Sequence, residues 1–375
     1  MSKPIVVPAA GGYPQGHGLG YDGRAKEIFG IALTNGLLTL ATLGVYRFWG
    51  KTRLRRYFWG HVSFLGDRLE YTGRAMELCL GFVVVVLVLA PLIGASVAFN
   101  LIFPENLELI AAKEGLQVLV IYFLVYYAIF RARRYRLSRT QWRGIRCGQT
   151  GSAAKYAWLA IGTSILMVLT FGLAFPYYRM VLKRYELRNT WFGDRSLRFE
   201  GRARDLFWQW LVALVLFVPS LGTSYIWYQV VEFRYVALKT QYRSLRFRSE
   251  LRTLQVLLIY LIYGAVALIT MAIMAFVVYS FVPQDMILGT TTTSGSTSGF
   301  FLETVSSLIL VGALVVVAVW LNILRMVLFM HPFFRVVCKS TTIFGDEDYA
   351  AIAQSQQAAP ARGEGLADAL DVGAI

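Results

Sequence analysis

The residues with the most evident chemistry in this chain are its arginines and lysines, because they recur at helical spacing. Arg47, Lys51 and Arg55 fall on one helix face at i, i+4 intervals, with Arg53 and Arg56 beside them. Arg133 and Arg134, and then Arg179, Lys183 and Arg184, continue the pattern downstream. Such columns offer fixed bidentate donors to phosphate, so they could hold a lipid headgroup or an anionic solute. The alternative is that the same side chains snorkel to a membrane interface and anchor helix ends. Trp49, Tyr57, Phe58 and Trp59 fit an aromatic belt of that kind.

Asn35, Asn100, Gln209, Gln229 and Asn322 form a second set, each interrupting an apolar run. Amides within a membrane either line a path for a solute or ion or serve as hydrogen-bond glue between helices. Glu232 stands beside Arg234 at the edge of such a run, and no carboxylate is isolated at mid-membrane depth. Signals for catalysis are nearly absent: His17, His61 and His331 have neither metal-ligand nor triad spacing, and Cys79, Cys147 and Cys338 are scattered without a zinc pattern. The expectation is a chain without catalytic residues, cofactor or metal, with reduced thiols.

The elements that must position these residues follow from composition. Of 375 residues, 57% are hydrophobic and only 16% charged, too apolar for a water-soluble chain of this length. Leu78 to Pro104, Leu254 to Gln284 and Thr304 to Leu324 are uncharged runs that reach or exceed the roughly 20 residues needed to span a bilayer. The net charge of +15 clusters beside these runs, which points to anionic lipid headgroups as partners and away from nucleic acid. Residues 1–20 have no signal-peptide core and read as a disordered lead, and residues 346–375 read as a disordered acidic tail.

Between these tails, the sequence repeats itself. YDGRAKE at Tyr21, YTGRAME at Tyr71 and FEGRARD at Phe199 share one phrase, and RRYFWGHVSF at Arg55 has counterparts at Arg133, Lys183, Phe233 and Phe333. The chain accordingly divides into units near 21–70, 71–148, 149–198, 199–246 and 247–345 of a single membrane domain. Each has a Gly-Arg opening, an apolar segment, a basic-aromatic end and an alternating strand-like link such as DRLEYT. The second and fifth units read as long hairpins around external loops, PENLELIAAKEG at Pro104 and the Thr, Ser and Gly stretch after Pro283. The other three are broken at Leu43-Gly44, at Phe171-Gly172 with Pro176, and at Pro219 to Gly222. A single crossing by each would put successive basic ends on opposite sides of the membrane, so they are expected to turn back within it. The expected fold class is an all-α polytopic membrane protein of repeated helical hairpins, two long and spanning, three short and re-entrant or tilted, with small cytoplasmic β-links and both termini cytoplasmic.

TLGVYRFWGKTRLRRYFWGH, from Thr42 to His61, together with GDRLEYTGRAMEL from Gly66, resembles the YjgN-like family of bacterial inner-membrane proteins, a family of unknown function. The likeness runs from about Leu19 to Asp346. It implies a multi-pass protein of the bacterial inner membrane, supplies no substrate, cofactor or catalytic residue, and adds a membrane protein such as a protease as an expected partner. The expected function is that of a transporter or channel-like protein for an anionic or lipid-like solute, and the alternative is a non-catalytic scaffold or adaptor that binds anionic lipid or a membrane partner. Convergence of the polar residues on one cavity would favour the first, and amides satisfied by neighbouring helices the second.

Overall fold

The computed structural model describes residues 16–103, 106–281, 297–345 and 352. Helices come in pairs. The first three pairs are α1 (Ala25–Ala41) with α2 (Arg47–Gly60), α3 (Ala75–Ile102) with α4 (Leu107–Ser138), and α5 (Ala153–Leu169) with α6 (Phe175–Arg188). A 3-10 turn at Ala203–Leu206 then leads into α7 (Phe207–Val215), which pairs with α8 (Thr223–Lys239). Last come α9 (Thr253–Phe281) and α10 (Thr297–Leu324), the latter continued through a π-helical turn, Arg325–Met330, into α11 (His331–Ser340).

Three pairs are short for a definite reason. Arms of 17 and 14 residues in the first pair are only about 25 and 21 Å long, less than a hydrocarbon core. The turn between the two arms carries the same left-handed dipeptide in each: Leu43 and Gly44, Phe171 and Gly172, and Leu221 and Gly222, the last just before α8, all have positive φ. The glycine N–H then donates to the carbonyl five residues back, Gly44 to Thr39 at 2.7 Å, Gly172 to Met167 at 2.8 Å and Gly222 to Phe217 at 2.8 Å. This is the hydrogen-bond pattern that terminates a helix through left-handed residues, which is why glycine sits there. The residue before each glycine is large, apolar and almost fully exposed: Leu43 95%, Phe171 92%, Leu221 93%. Pro176, at the start of α6, restarts the chain as a helix.

Among the described residues, four segments are long and apolar enough to cross a membrane: Ala75–Ile102, Leu107–Ser138, Thr253–Val277 and Val311–Ser340. The loop expected at PENLELIAAKEG is mostly helix. Asn106 caps α4 by accepting from the Leu109 N–H at 3.1 Å, so the helix starts at Leu107 and absorbs the following polar residues. The loop expected after Pro283 and the tail after Asp346 lie outside the described residues, apart from Thr297–Gly299 at the start of α10 and Ile352.

The all-α expectation needs amending, because the links assemble into two antiparallel sheets. One has the order β2 (Gly20–Tyr21), β3 (Val62–Phe64), β4 (Asp67–Tyr71), β5 (Thr140–Trp142), β6 (Ile145–Gln149), β7 (Thr190–Phe192), β8 (Arg195–Ser196). The other runs β1 (Gly16–Gly18), β12 (Thr341–Phe344), β11 (Leu245–Ser249), β10 (Thr240–Tyr242), β9 (Arg198–Phe199). Only Leu19 separates β1 from β2, and only Leu197 separates β8 from β9. The two sheets are therefore joined through the chain at both edges, and the strand order closes on itself. Positive φ at Leu65-Gly66 and Arg143-Gly144 gives tight hairpin turns whose twist matches the strands. Residues 16–20, which the sequence places in a disordered lead, supply the strand that completes the ring. Glycine permits it there: a Cβ on Gly16 would lie 2.5 Å from the Phe344 ring.

Alternation sorts the two faces of this ring. Tyr242, Leu245 and Ile352 are buried together, with Ile145, Phe192, Leu197, Phe247 and Ile343 packed on them. Aromatic contacts run from hairpin to hairpin, Phe64 to Trp142 at 5.4 Å, Trp142 to Phe192 at 6.1 Å and Phe192 to Tyr242 at 5.9 Å. Arg68, Glu70, Arg146, Arg198 and Arg246 are exposed on the opposite face. The strands belong to one compact unit together with Arg55–Thr253; Gly23–Leu54 and Leu254–Val336 form a second. Within the second, a Cβ on Gly36 would lie 2.8 Å from Val319, so glycine allows α1 and α10 their close approach.

Removing residues 1–22 takes away β1 and β2 and leaves β3 and β12 as free edges. Amide exchange at Val62–Phe64 and Thr341–Phe344 is expected to accelerate while Ile145–Gln149 stays protected; unchanged exchange at both edges would refute closure of the ring.

Candidate functional site

The basic end of each of the first three helix pairs is held to the start of the next by a recurring contact. Arg56 donates through Nη2 to the Gly73 carbonyl at 2.9 Å, Arg184 to Gly201 at 2.7 Å, and Arg134 to Gly151, each time across 17 residues of chain. The tyrosine that follows two of these arginines turns the other way and binds the start of its own pair. Tyr135 donates to Glu77 at 2.8 Å, and Tyr185 donates to the Ser152 carbonyl at 2.9 Å. On α8, Tyr235 donates to Asp205 at 2.6 Å and accepts from the Arg202 N–H at 2.6 Å. The basic-aromatic phrase thus works as a clamp: its arginine and tyrosine neutralise helix-end groups that would otherwise lie partly desolvated.

Two buried carboxylates consume more of the basic set. Glu186, 6% exposed, accepts from Tyr156 at 2.7 Å and Lys183 at 2.9 Å, with Arg133 at 3.3 Å. Burial alone would raise its pKa, but Lys183, Arg133 and the Tyr156 hydrogen bond outweigh that and hold it down at about 2. Glu232, 4% exposed, accepts from Arg179 Nε at 3.0 Å. Around them, α4, α5 and α6 contribute a set of hydroxyl contacts, Tyr122 with Ser164 at 2.5 Å and Tyr126 with Tyr178 at 2.5 Å. Of the remaining predicted basic residues, Arg55 donates to the Tyr71 hydroxyl at 3.3 Å, Arg47 stacks over Phe48 at 5.3 Å, Lys51 is half-buried and Arg53 is exposed.

The amides do not gather. Asn35 donates to the Gly50 carbonyl at 3.1 Å within its own helix pair. Asn100 is exposed and accepts from Lys113 at 2.8 Å, in a chain that continues through Ser96 to Gln117. The Gln209 carbonyl oxygen is buried without a partner, Gln229 is half-buried, and Asn322 is exposed. Among the described residues no hydrogen bond joins any two of these five. Nor do the described residues hold a cluster of three His, Cys, Asp or Glu that could bind a metal ion.

Among the described residues lies an open groove of about 310 Å³ between α6 and the 3-10 turn before α7. Tyr177, Met180 and Val181 form one wall, and Ala203 part of the other. Arg184, Arg202 and Arg204 stand around it. Sequence reasoning singled out Arg184 but missed the other two, and it missed Glu186 as the partner of Arg133. The i, i+3 spacing of Lys183 and Glu186 was the available signal; the approach of Arg133 and Tyr156 from other helices left none.

With this geometry in view, comparison with known proteins is informative. The family model described as bacterial protein of unknown function, DUF898, matches residues 17–369. The chain is similar to the inner membrane protein YjgN of Escherichia coli O157:H7, 26% identical over 162 residues, and to that of strain K12, 25% identical over the same length. Each alignment covers 42% of this chain and 37% of the relative, so the chain spans little more than a third of the curated relatives it matches. No solved structure matches.

Glu186→Gln removes the one negative charge that holds Lys183 and Arg133 together, and is expected to lower unfolding free energy by about 3–5 kcal/mol in detergent. The pH dependence has a definite sign. Because the folded carboxyl titrates near 2 against an ordinary value of 4.5, its stabilisation is complete above about pH 4.5 and disappears as pH falls toward 2. Denaturant midpoints measured across that window should show a steeper acid loss in the wild type than in Glu186→Gln.

Proposed function

The chain belongs to the DUF898 family of bacterial proteins of unknown function, and from that premise we propose that it is a non-catalytic scaffold of the bacterial inner membrane. The observation that carries this is the local use of its polar groups. Arg179, Lys183, Arg133, Asn35 and Asn100 each meet a partner within one helix pair or between neighbouring helices, as glue does and as a solute path does not.

In this reading the five helix pairs are copies of one unit. Short pairs enter the bilayer tip first, which gives the exposed Leu43, Phe171 and Leu221 an apolar surrounding, and both their ends return to the cytoplasmic side. The termini and the basic ends share that side. Arg47, Arg53 and the exposed arginines of the strand ring then face anionic headgroups or a membrane protein partner, of which a protease is one class. The YjgN relatives, named as inner membrane proteins, support the compartment. A second reading, a channel for an anionic or lipid-like solute, draws on the closure of the strand ring. Its difficulty is that the apolar face of the ring is filled by Tyr242, Leu245 and their neighbours.

Two measurements separate these. Vesicles containing the purified protein should pass chloride, phosphate and glutamate no faster than empty vesicles; saturable flux that falls when Arg47, Arg55 and Arg56 are neutralised would replace the scaffold with the channel. Single cysteines at Thr150 and Arg188, flanking one short pair, should react with an impermeant thiol reagent from the same side of the membrane, and labelling from opposite sides would overturn the re-entrant arrangement.

A further inference from the structure

The groove between α6 and the 3-10 turn sets a cluster of arginines beside an apolar wall. On α6, Tyr177, Val181, Arg184 and Arg188 share one stripe at helical spacing, going from aromatic and aliphatic to cationic toward the C-terminal end. On the other side the groove is bordered by Arg202, Ala203 and Arg204 of the segment leading into α7, so three arginines and an apolar wall border one concavity.

A site of this form matches an amphiphile and not a soluble anion. A free phosphate would have no use for Tyr177, Met180 and Val181, whereas a purely apolar ligand would leave Arg184, Arg202 and Arg204 without a counter-charge. The charge is also available. Arg184 Nη2 is engaged by the Gly201 carbonyl, but its Nε–H is buried without a partner. Arg202 is exposed, and Arg204, 74% exposed, has only a 3.8 Å contact with Asp205, whose carboxylate also accepts from Tyr235.

We propose that this groove is a binding site for one anionic phospholipid, its phosphate held by Arg184, Arg202 and Arg204 and an acyl chain laid along Tyr177, Met180 and Val181. The inference deepens the scaffold reading by giving the lipid a defined seat, and it rests on the chain lying in a bilayer. It does not depend on the absence of solute flux, so vesicle transport and lipid binding can fail separately.

The test is native mass spectrometry of the detergent-purified full chain titrated with phosphatidylglycerol, phosphatidylcholine and inorganic phosphate. One phosphatidylglycerol is expected to remain bound at concentrations where phosphatidylcholine does not, and inorganic phosphate should not compete. Arg202→Gln with Arg204→Gln should weaken that binding about tenfold or more, the loss of two charge-assisted contacts. Val181→Trp, which fills the groove without touching a charge, should abolish it, and melting curves identify any variant that has lost its fold. Lys26→Gln with Lys155→Gln, at exposed lysines outside the groove, should leave the bound lipid in place. Equal loss in that remote variant would mean diffuse charge attraction, retention in both groove variants would remove the site, and competition by inorganic phosphate would reassign it to a soluble anion.

Discussion

Each long strand of the ring divides its backbone hydrogen bonds between two neighbours. In β4, Asp67 and Arg68 pair with Phe64 and Ser63 of their own hairpin, while Leu69, Glu70 and Tyr71 pair with Trp142, Gln141 and Thr140 of the next. The same division recurs in β6 and β11. A hairpin of this kind alone would be marginal, with half its donors unsatisfied. Stability therefore depends on completing the circle, and the last pairing is made between residues near opposite ends of the chain, Gly16–Gly18 with Thr342–Phe344. Closure gives every strand of the ring a partner, which leaves no whole strand unpaired as a template for another chain.

That constraint explains the clamp at the helix ends. A hairpin that must register with two neighbours also fixes the separation of the helix before it and the helix after it. The recurring arginine and glycine, 17 residues apart at Arg56, Arg134 and Arg184, bridge that separation on the side away from the strands. Threonines at the helix-to-strand junctions act within the same turn: Thr140, Thr190 and Thr240 each donate to the carbonyl four residues earlier as the helix stops. One junction thus holds a helix end, a strand start and an ion-assisted contact to the next pair.

How far the sequence discloses this depends on whether an element is stated locally. The helix breaks at Leu43, Phe171 and Leu221 are legible because a left-handed cap calls for the glycine that follows. The hydrophobic runs of α3, α9 and α10 are legible because length and composition suffice. The ring is not, since alternation in DRLEYT shows a strand but not that its second half pairs with a segment seventy residues on. Gly16 to Gly20 misleads for a physical reason: a glycine-rich stretch reads as disorder, yet here the missing Cβ is what lets Phe344 approach. The PENLELIAAKEG loop misleads in the opposite sense, because polar residues that look external are carried by α4 once Asn106 has capped it.

The basic residues were the first signal and are the most changed by the structure. A column of arginines on a helix wheel implies a shared ligand only if the side chains are otherwise unoccupied. Arg133 and Lys183 converge, but on Glu186; Arg179 turns to Glu232; Arg56, Arg134 and Arg184 each spend a guanidinium nitrogen on a glycine carbonyl. In water each such contact would contribute little. At a helix end beside an apolar run the alternative is a partly desolvated cation, so the contact fixes geometry even where its net energy is small. Cationic surface for an external anion then has to come from residues the clamp does not use, and these lie at Gly-Arg openings such as Arg74, Arg202 and Arg252, all exposed. Of these, Arg202 is the one that borders the apolar groove beside α6, which is why position beside a hydrophobic wall, more than density of charge, selects where an amphiphile would rest.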